Sequence, residues 1–167
     1  MKLKALVGGV LLVAASVSAS AANYDLGTLD GTSFDTSSLT SSKYAAGFNF
    51  TDSWKFTITT TSATSFGAQQ TFAVAIGEIS GFGAELNGNP FTLTQDVPNG
   101  QQNLSWTGNL APGVYTVNVW GHANLKNTQY TATVSALPVP EPETYGMLLG
   151  GLGVLGLAAR RRAKKSA

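Results

Sequence analysis

The sequence predicts an all-β domain, a β-sandwich of the jelly-roll or immunoglobulin-like kind, followed by a C-terminal transmembrane helix. Three observations predict it. Apolar and polar residues alternate with period two over several short stretches, the mark of strands with one buried face. Gly, Pro and Asn punctuate those stretches at a spacing that favours a sandwich over a barrel, the other architecture such short strands can build. No helical pattern occurs between Ala22 and Leu137.

Taken in chain order, Asn23 to Ala46 is rich in Ser, Thr, Gly and Asp and reads as loop, with one short edge strand near Tyr24–Leu26. Phe48, Phe50, Trp54, Phe56 and Ile58 then alternate with polar residues, so one strand face is apolar, and Asp52 falls on that same face. Further strands are expected at Phe72-Val74-Ile76, Phe91-Leu93, Leu104-Trp106, Tyr115-Val117-Val119 and Tyr130-Ala132-Val134. Asn87-Gly88-Asn89-Pro90 and Ala111-Pro112-Gly113 are turn signals. Asn124-Leu125-Lys126-Asn127 reads as a hairpin-like loop between the last two strands.

The ends carry a different chemistry. Lys2 and Lys4 precede an apolar run from Ala5 to Val17, and Ala19-Ser20-Ala21 supplies the small-x-small pattern of a secretory cleavage site. Residues 1–21 are therefore expected to be a signal peptide, cut after Ala21, with Ala22 the next choice. The apolar run, roughly 20 Å as a helix, is short for a hydrocarbon core of ~30 Å. At the other end, Pro140, Glu141 and Pro142 precede an uncharged stretch from Thr144 to Ala159, and then Arg160, Arg161, Arg162, Lys164 and Lys165. The prolines keep the chain extended, the apolar stretch suits a bilayer, and the basic cluster resists translocation. Five glycines across about 16 residues make a poor permanent anchor and suit a segment that is recognised and removed.

The formal net charge of +1 belongs to these ends. Between Ala22 and Val139 only Lys43, Lys55 and Lys126 oppose seven acids, which leaves −4. That balance argues against a nucleic-acid partner, which needs a basic stripe. The chain has no cysteine, so the exported domain is held by packing and hydrogen bonds without disulfides.

Pro140-Glu141-Pro142, the glycine-rich span and Arg160-Arg161-Arg162 together resemble the PEP-CTERM sorting signal of Gram-negative bacteria, over roughly residues 138–165. Phe50-Thr51-Asp52-Ser53-Trp54 resembles the signature of the PEP-CTERM family named for a Phe-x-Asp-x-Phe (FxDxF) motif, with Trp54 in the last aromatic place. The resemblance implies an ectodomain over 22–137, recognition of the tail by an integral-membrane exosortase, and transient residence in the inner membrane. It also implies delivery to the cell surface or extracellular matrix, in association with exopolysaccharide or biofilm. Signal peptidase and the exosortase are the expected partners, and no catalytic residue comes with the resemblance.

The residues themselves offer little catalysis. There is one histidine, His122, and no Gly-x-Ser-x-Gly elbow, HExxH helix or phosphate-binding glycine loop. No cofactor or metal site is expected, and the protein is expected to be non-enzymatic. A hydrolase would need acids converging in a cleft. Asp52 has three readings: a strand-opening turn residue, a buried carboxylate paired with a lysine or hydroxyl, or a calcium ligand. Trp120, of opposite parity to Val117 and Val119, points away from the core beside Thr116, Asn118 and His122. A ring so placed could stack on a sugar. The alternative function is accordingly a carbohydrate- or calcium-binding β module.

Overall fold

The computed structural model describes residues 21–139 and 142–165, with side chains at 21–139 and 145–156. The signal-peptide expectation over residues 1–20, and Pro140 and Glu141 of the tail motif, lie outside the described residues. The strands are β1 (Asn23–Leu29), β2 (Asp35–Thr40), β3 (Phe48–Ile58), β4 (Ser62–Thr71), β5 (Ile79–Leu86), β6 (Asn89–Pro90), β7 (Thr92–Asp96), β8 (Gln101–Leu110), β9 (Gly113–Ala123) and β10 (Thr131–Pro138), and one helix, α1 (Pro142–Lys165), follows them. They form two five-stranded sheets, in the orders β1-β3-β9-β5-β6 and β2-β10-β4-β8-β7. All pairings are antiparallel except that of β1 with β3.

The inner faces follow from the period-two patterns. Along β3, Phe50, Asp52, Trp54, Phe56 and Ile58 all point inward and are buried. Val117, Val119 and Ala123 do the same on β9. Opposite them the second sheet presents small residues, Ala68 on β4 and Ala132, Val134 and Ala136 on β10, interspersed with the larger Phe66 on β4 and Leu104 on β8. Large and small side chains alternating across the two faces fill the gap between the sheets. The core is complete without α1. Its buried apolar residues run from Leu26 to Ala136, whereas Tyr145 and the described side chains after it are exposed.

Several expectations are corrected. The segment after β1 is not all loop. Strand β2 lies at the edge of the second sheet, where Thr36, Ser38 and Thr40 hydroxyls meet those of Ser135, Thr133 and Thr131 at 3.1, 2.9 and 3.0 Å. Phe72-Val74-Ile76 is not a strand. The chain leaves the sheet at Thr71 and makes a 3-10 turn at Ala75–Gly77, leaving Val74 and Ile76 exposed. The strands there are β4 and β5, on either side of it. Asn124–Asn127 does not close a hairpin, because β9 and β10 belong to different sheets. Asn87-Gly88 does close one. Positive φ at both residues (51° and 78°) is the two-residue turn that matches strand twist between β5 and β6.

Strand β4 carries buried polar residues that the chain satisfies in full. Gln70 and Gln102 are cross-strand partners on β4 and β8. Gln102 accepts the Ile79 N–H at 2.7 Å and donates to Ile79 O at 3.0 Å, while Gln70 accepts the same N–H at 3.1 Å and donates to Gly77 O at 2.8 Å. Two side-chain amides thus take the place of a neighbouring strand where β5 begins. Among the described residues, no buried side-chain nitrogen or oxygen lacks a partner.

Candidate functional site

Asp52 sits in the middle of β3 with no exposed surface. It does not open the strand in a turn, which corrects the first of its three sequence readings. The hydroxyl-paired reading is the one observed. Tyr44 and Tyr130 both donate their phenol hydroxyls to Oδ2, the latter at 2.6 Å. The backbone N–H of Ala22 approaches Oδ1 at 3.3 Å. Among the described residues every group aimed at the carboxylate is a donor, so its oxygens face hydrogens, the arrangement of the hydroxyl-paired reading.

Distant parts of the chain converge here. Tyr44 comes from the loop before β3, where it bridges to Thr128 and stacks on Phe50 at 4.3 Å. Tyr130 leads into β10 and accepts the Trp54 indole N–H at 2.7 Å. Tyr24 on β1 stacks on Trp54 at 4.1 Å. Phe50, Asp52 and Trp54 therefore share one cluster, with the aromatics walling the carboxylate from water. Burial is the largest influence on the Asp52 carboxyl and raises it above the usual range, and the hydrogen bonds from Tyr130, Tyr44 and Ala22 pull the other way. The phenols of Tyr44 and Tyr130 are pushed far above their ordinary value, first by burial and then by the adjoining Asp52. They stay protonated and keep donating.

The other acids do not join this cluster. Asp25 accepts the Gly27 N–H, Asp30 that of Thr32, Asp35 that of Asp30, and Asp96 that of Asn99. Asp25 and Asp96 each hold a turn, and Asp30 and Asp35 brace the same loop before β2. Among the described residues no group of three or more His, Cys, Asp and Glu is placed to hold a metal ion.

Trp120 lies on the outer face of β9, between its cross-strand partners Thr51 and Gly83. A Cβ on Gly83 would stand 2.7 Å from the indole, so the ring lies across bare backbone on β5. It is 37 % exposed. His122, two residues on, hydrogen-bonds Asn49 Oδ1 through Nδ1 at 2.8 Å, and Asn118 accepts from Ser53 Oγ at 3.2 Å. The flat ring and its amide neighbours follow the parity seen in the sequence. The support beneath Trp120 was missed, because nothing in the sequence assigned Gly83 to a neighbouring strand.

In the tail, α1 begins at Pro142 and takes in the apolar stretch and the backbone of Arg160, Arg161 and Arg162. From Tyr145 to Leu155 its large apolar side chains are exposed, Met147 at 81 %. Among the described residues no helix is long and apolar enough to cross a membrane. At the other end, Ala21 is the first described residue and is exposed.

Residues 138–162 match the PEP-CTERM protein-sorting motif. That motif implies an exported protein processed by an exosortase on passage through the membrane toward the cell surface. No curated protein matches the chain. Among solved structures it is similar to the pre-peptidase C-terminal domain of collagenase from Bacillus anthracis, with a TM-score of 0.43 and 16% identity over 70% of this chain and 96% of that one.

Proposed function

We propose that this chain is a non-enzymatic surface or extracellular-matrix protein of the FxDxF group. Signal peptidase removes residues 1–21, α1 lodges in the inner membrane transiently, and an exosortase then frees the ectodomain for association with exopolysaccharide or biofilm. The observation that carries this is the sorting motif at residues 138–162 on a helix that adds nothing to the core. A domain that closes without its tail survives removal of that tail. Acids spent on individual turns, and a central carboxylate sealed by phenols, support a role without catalysis. The test is the mass of the mature protein from its native host, together with a Pro140→Ala, Glu141→Ala, Pro142→Ala variant. That variant is expected to stay unprocessed in the inner membrane. Unchanged mass and unchanged surface display would overturn the assignment.

A second reading is favoured by one specific feature, the indole of Trp120 laid over Gly83 with its outer face open. Such a platform, flanked by Asn118 and His122, suits stacking on a pyranose ring. Sugar-dependent thermal stabilisation of the ectodomain, lost in Trp120→Ala, is the expected result. A flat response across a glycan panel would remove this reading and leave the first intact.

A further inference from the structure

Asp52 is a buried carboxylate whose donors among the described residues are two phenols and one backbone N–H, with no lysine or arginine. A buried charge without a countercharge is costly. The third donor is the nitrogen of Ala22, and its position is fixed by pairing. The Ala22 carbonyl accepts the Ser53 N–H at 2.8 Å, and Asn23 and Tyr24 pair in parallel with Ser53 and Trp54. The small-x-small pattern Ala19-Ser20-Ala21 places the scissile bond immediately before that same nitrogen.

We infer that signal-peptide cleavage after Ala21 completes the ectodomain by releasing the α-amino group of Ala22 as the countercharge of Asp52. The inference rests on the export reading above. In the cleavage, water adds its hydroxyl to the Ala21 carbonyl carbon and a proton to the Ala22 nitrogen as the C–N bond breaks. The amine takes up one further proton from solvent. An amide N–H facing Oδ1 thereby becomes an ammonium facing a carboxylate, so an acceptor that had only neutral donors gains an opposite full charge. Export, processing and final stability are then coupled. The domain folds on the far side of the membrane, where the peptidase has already acted, and the mature terminus sits half-buried beside Asp52. The position is unforgiving, because each added or missing residue moves the amine by ~3.5 Å along the strand direction.

The groups facing the pair are Tyr44 from the loop before β3, Tyr130 just before β10, and Tyr24 on β1 beside Tyr44. Burial holds the Tyr44 and Tyr130 phenols protonated, so neither adds charge to the pair.

The test compares ectodomain fragments ending at Val139, whose core is complete. They begin at Ala22 with a free amine, at Ala22 with an N-acetyl cap, at Ala21, or at Asn23, and each is made with Asp52 and with Asp52→Asn. In urea the free Ala22 fragment is expected to have an unfolding equilibrium constant about tenfold lower than the acetylated one. Its α-amine, followed by NMR, should titrate at least about one unit above the ordinary range near 7.7–8.0. A raised amine contributes stability that is present below about pH 8 and is lost as pH rises through the folded value. The tenfold advantage should therefore fade toward high pH, and it should be absent in Asp52→Asn. Equal stability of free and acetylated fragments with an unshifted amine would overturn the inference. N-terminal sequencing of the exported protein supplies the second arm, with Ala22 expected. Any other first residue would also overturn the inference, while the exosortase reading, decided by the mass at the opposite end, would stand.

Discussion

Removing one oxygen atom, in Tyr130→Phe, tests the reasoning about the central cluster most directly. The hydroxyl donates to Asp52 Oδ2 at 2.6 Å and accepts from Trp54 Nε1 at 2.7 Å, in a place where Tyr130, Asp52 and Trp54 are all shielded from solvent. A hydrogen bond to a charged group contributes about 1.5–3 kcal/mol, and leaving a buried indole N–H without a partner costs about 1–3 kcal/mol. The ring is retained, so packing changes little and no cavity term enters. The expected loss is about 3–5 kcal/mol at neutral pH. Urea unfolding followed by tryptophan fluorescence reads it. With an m-value of about 1–3 kcal/mol per molar, the midpoint should fall by at least about 1 M while m stays unchanged. Tyr115→Phe is the control. Its hydroxyl donates to the Ala111 carbonyl at 2.8 Å near the surface, and the cost there should be about 1 kcal/mol or less. If the two substitutions cost the same, the Asp52 cluster is not the structural centre argued above.

Three other expectations follow from the same geometry. Gln102→Leu keeps most of the volume but strips the Ile79 carbonyl of its side-chain donor, so it should cost about 2–3 kcal/mol by urea unfolding. Gly83→Ala should push the Trp120 indole off its seat and red-shift its emission with little change in the unfolding midpoint, because the ring lies on the outer face and has room to move. In the N-acetylated ectodomain, where no ammonium answers Asp52, the raised carboxyl sets the pH dependence. Its favourable contribution is complete below the unfolded value of about 3.9 and is lost as pH rises through the folded one, and Asp52→Asn should flatten that slope.

The parts of the fold legible in the sequence are those where large apolar or β-branched residues recur at every second position. Strands β3 and β9 are of this kind, and so is the Ala132-Val134 face of β10. The parts that were not legible break the pattern for identifiable reasons. Strand β5 buries Ile79 and then Phe82, Ala84 and Leu86, because a bulge between Ser80 and Gly83, with Gly81 at φ 61°, shifts the parity by one. Strand β4 buries Ser62, Thr64 and Gln70, and such residues read as surface until their partners on other strands are known. Strand β2 has hydroxyls where an apolar face would be sought. The only early sign of it is that Thr36, Ser38 and Thr40 alternate like Thr131, Thr133 and Ser135. Asp52 was marked by its parity alone. Its partners come from the N-terminal segment, a loop and β10, and no local pattern announces contacts of that sequence separation.

One feature of the second sheet bears on what happens when the chain is pulled. The tail leaves from Pro138 at the end of β10, and β10 is flanked on both sides, by β2 along six residue pairs and by β4 along eight. A load drawn through the tail therefore runs along the axis of an interior strand, across hydrogen bonds that lie perpendicular to it. Those bonds are strained in shear and give way together, whereas an edge hairpin pulled from its open end peels one bond at a time. Tension on the tail therefore enters the domain through an interior strand rather than through an edge.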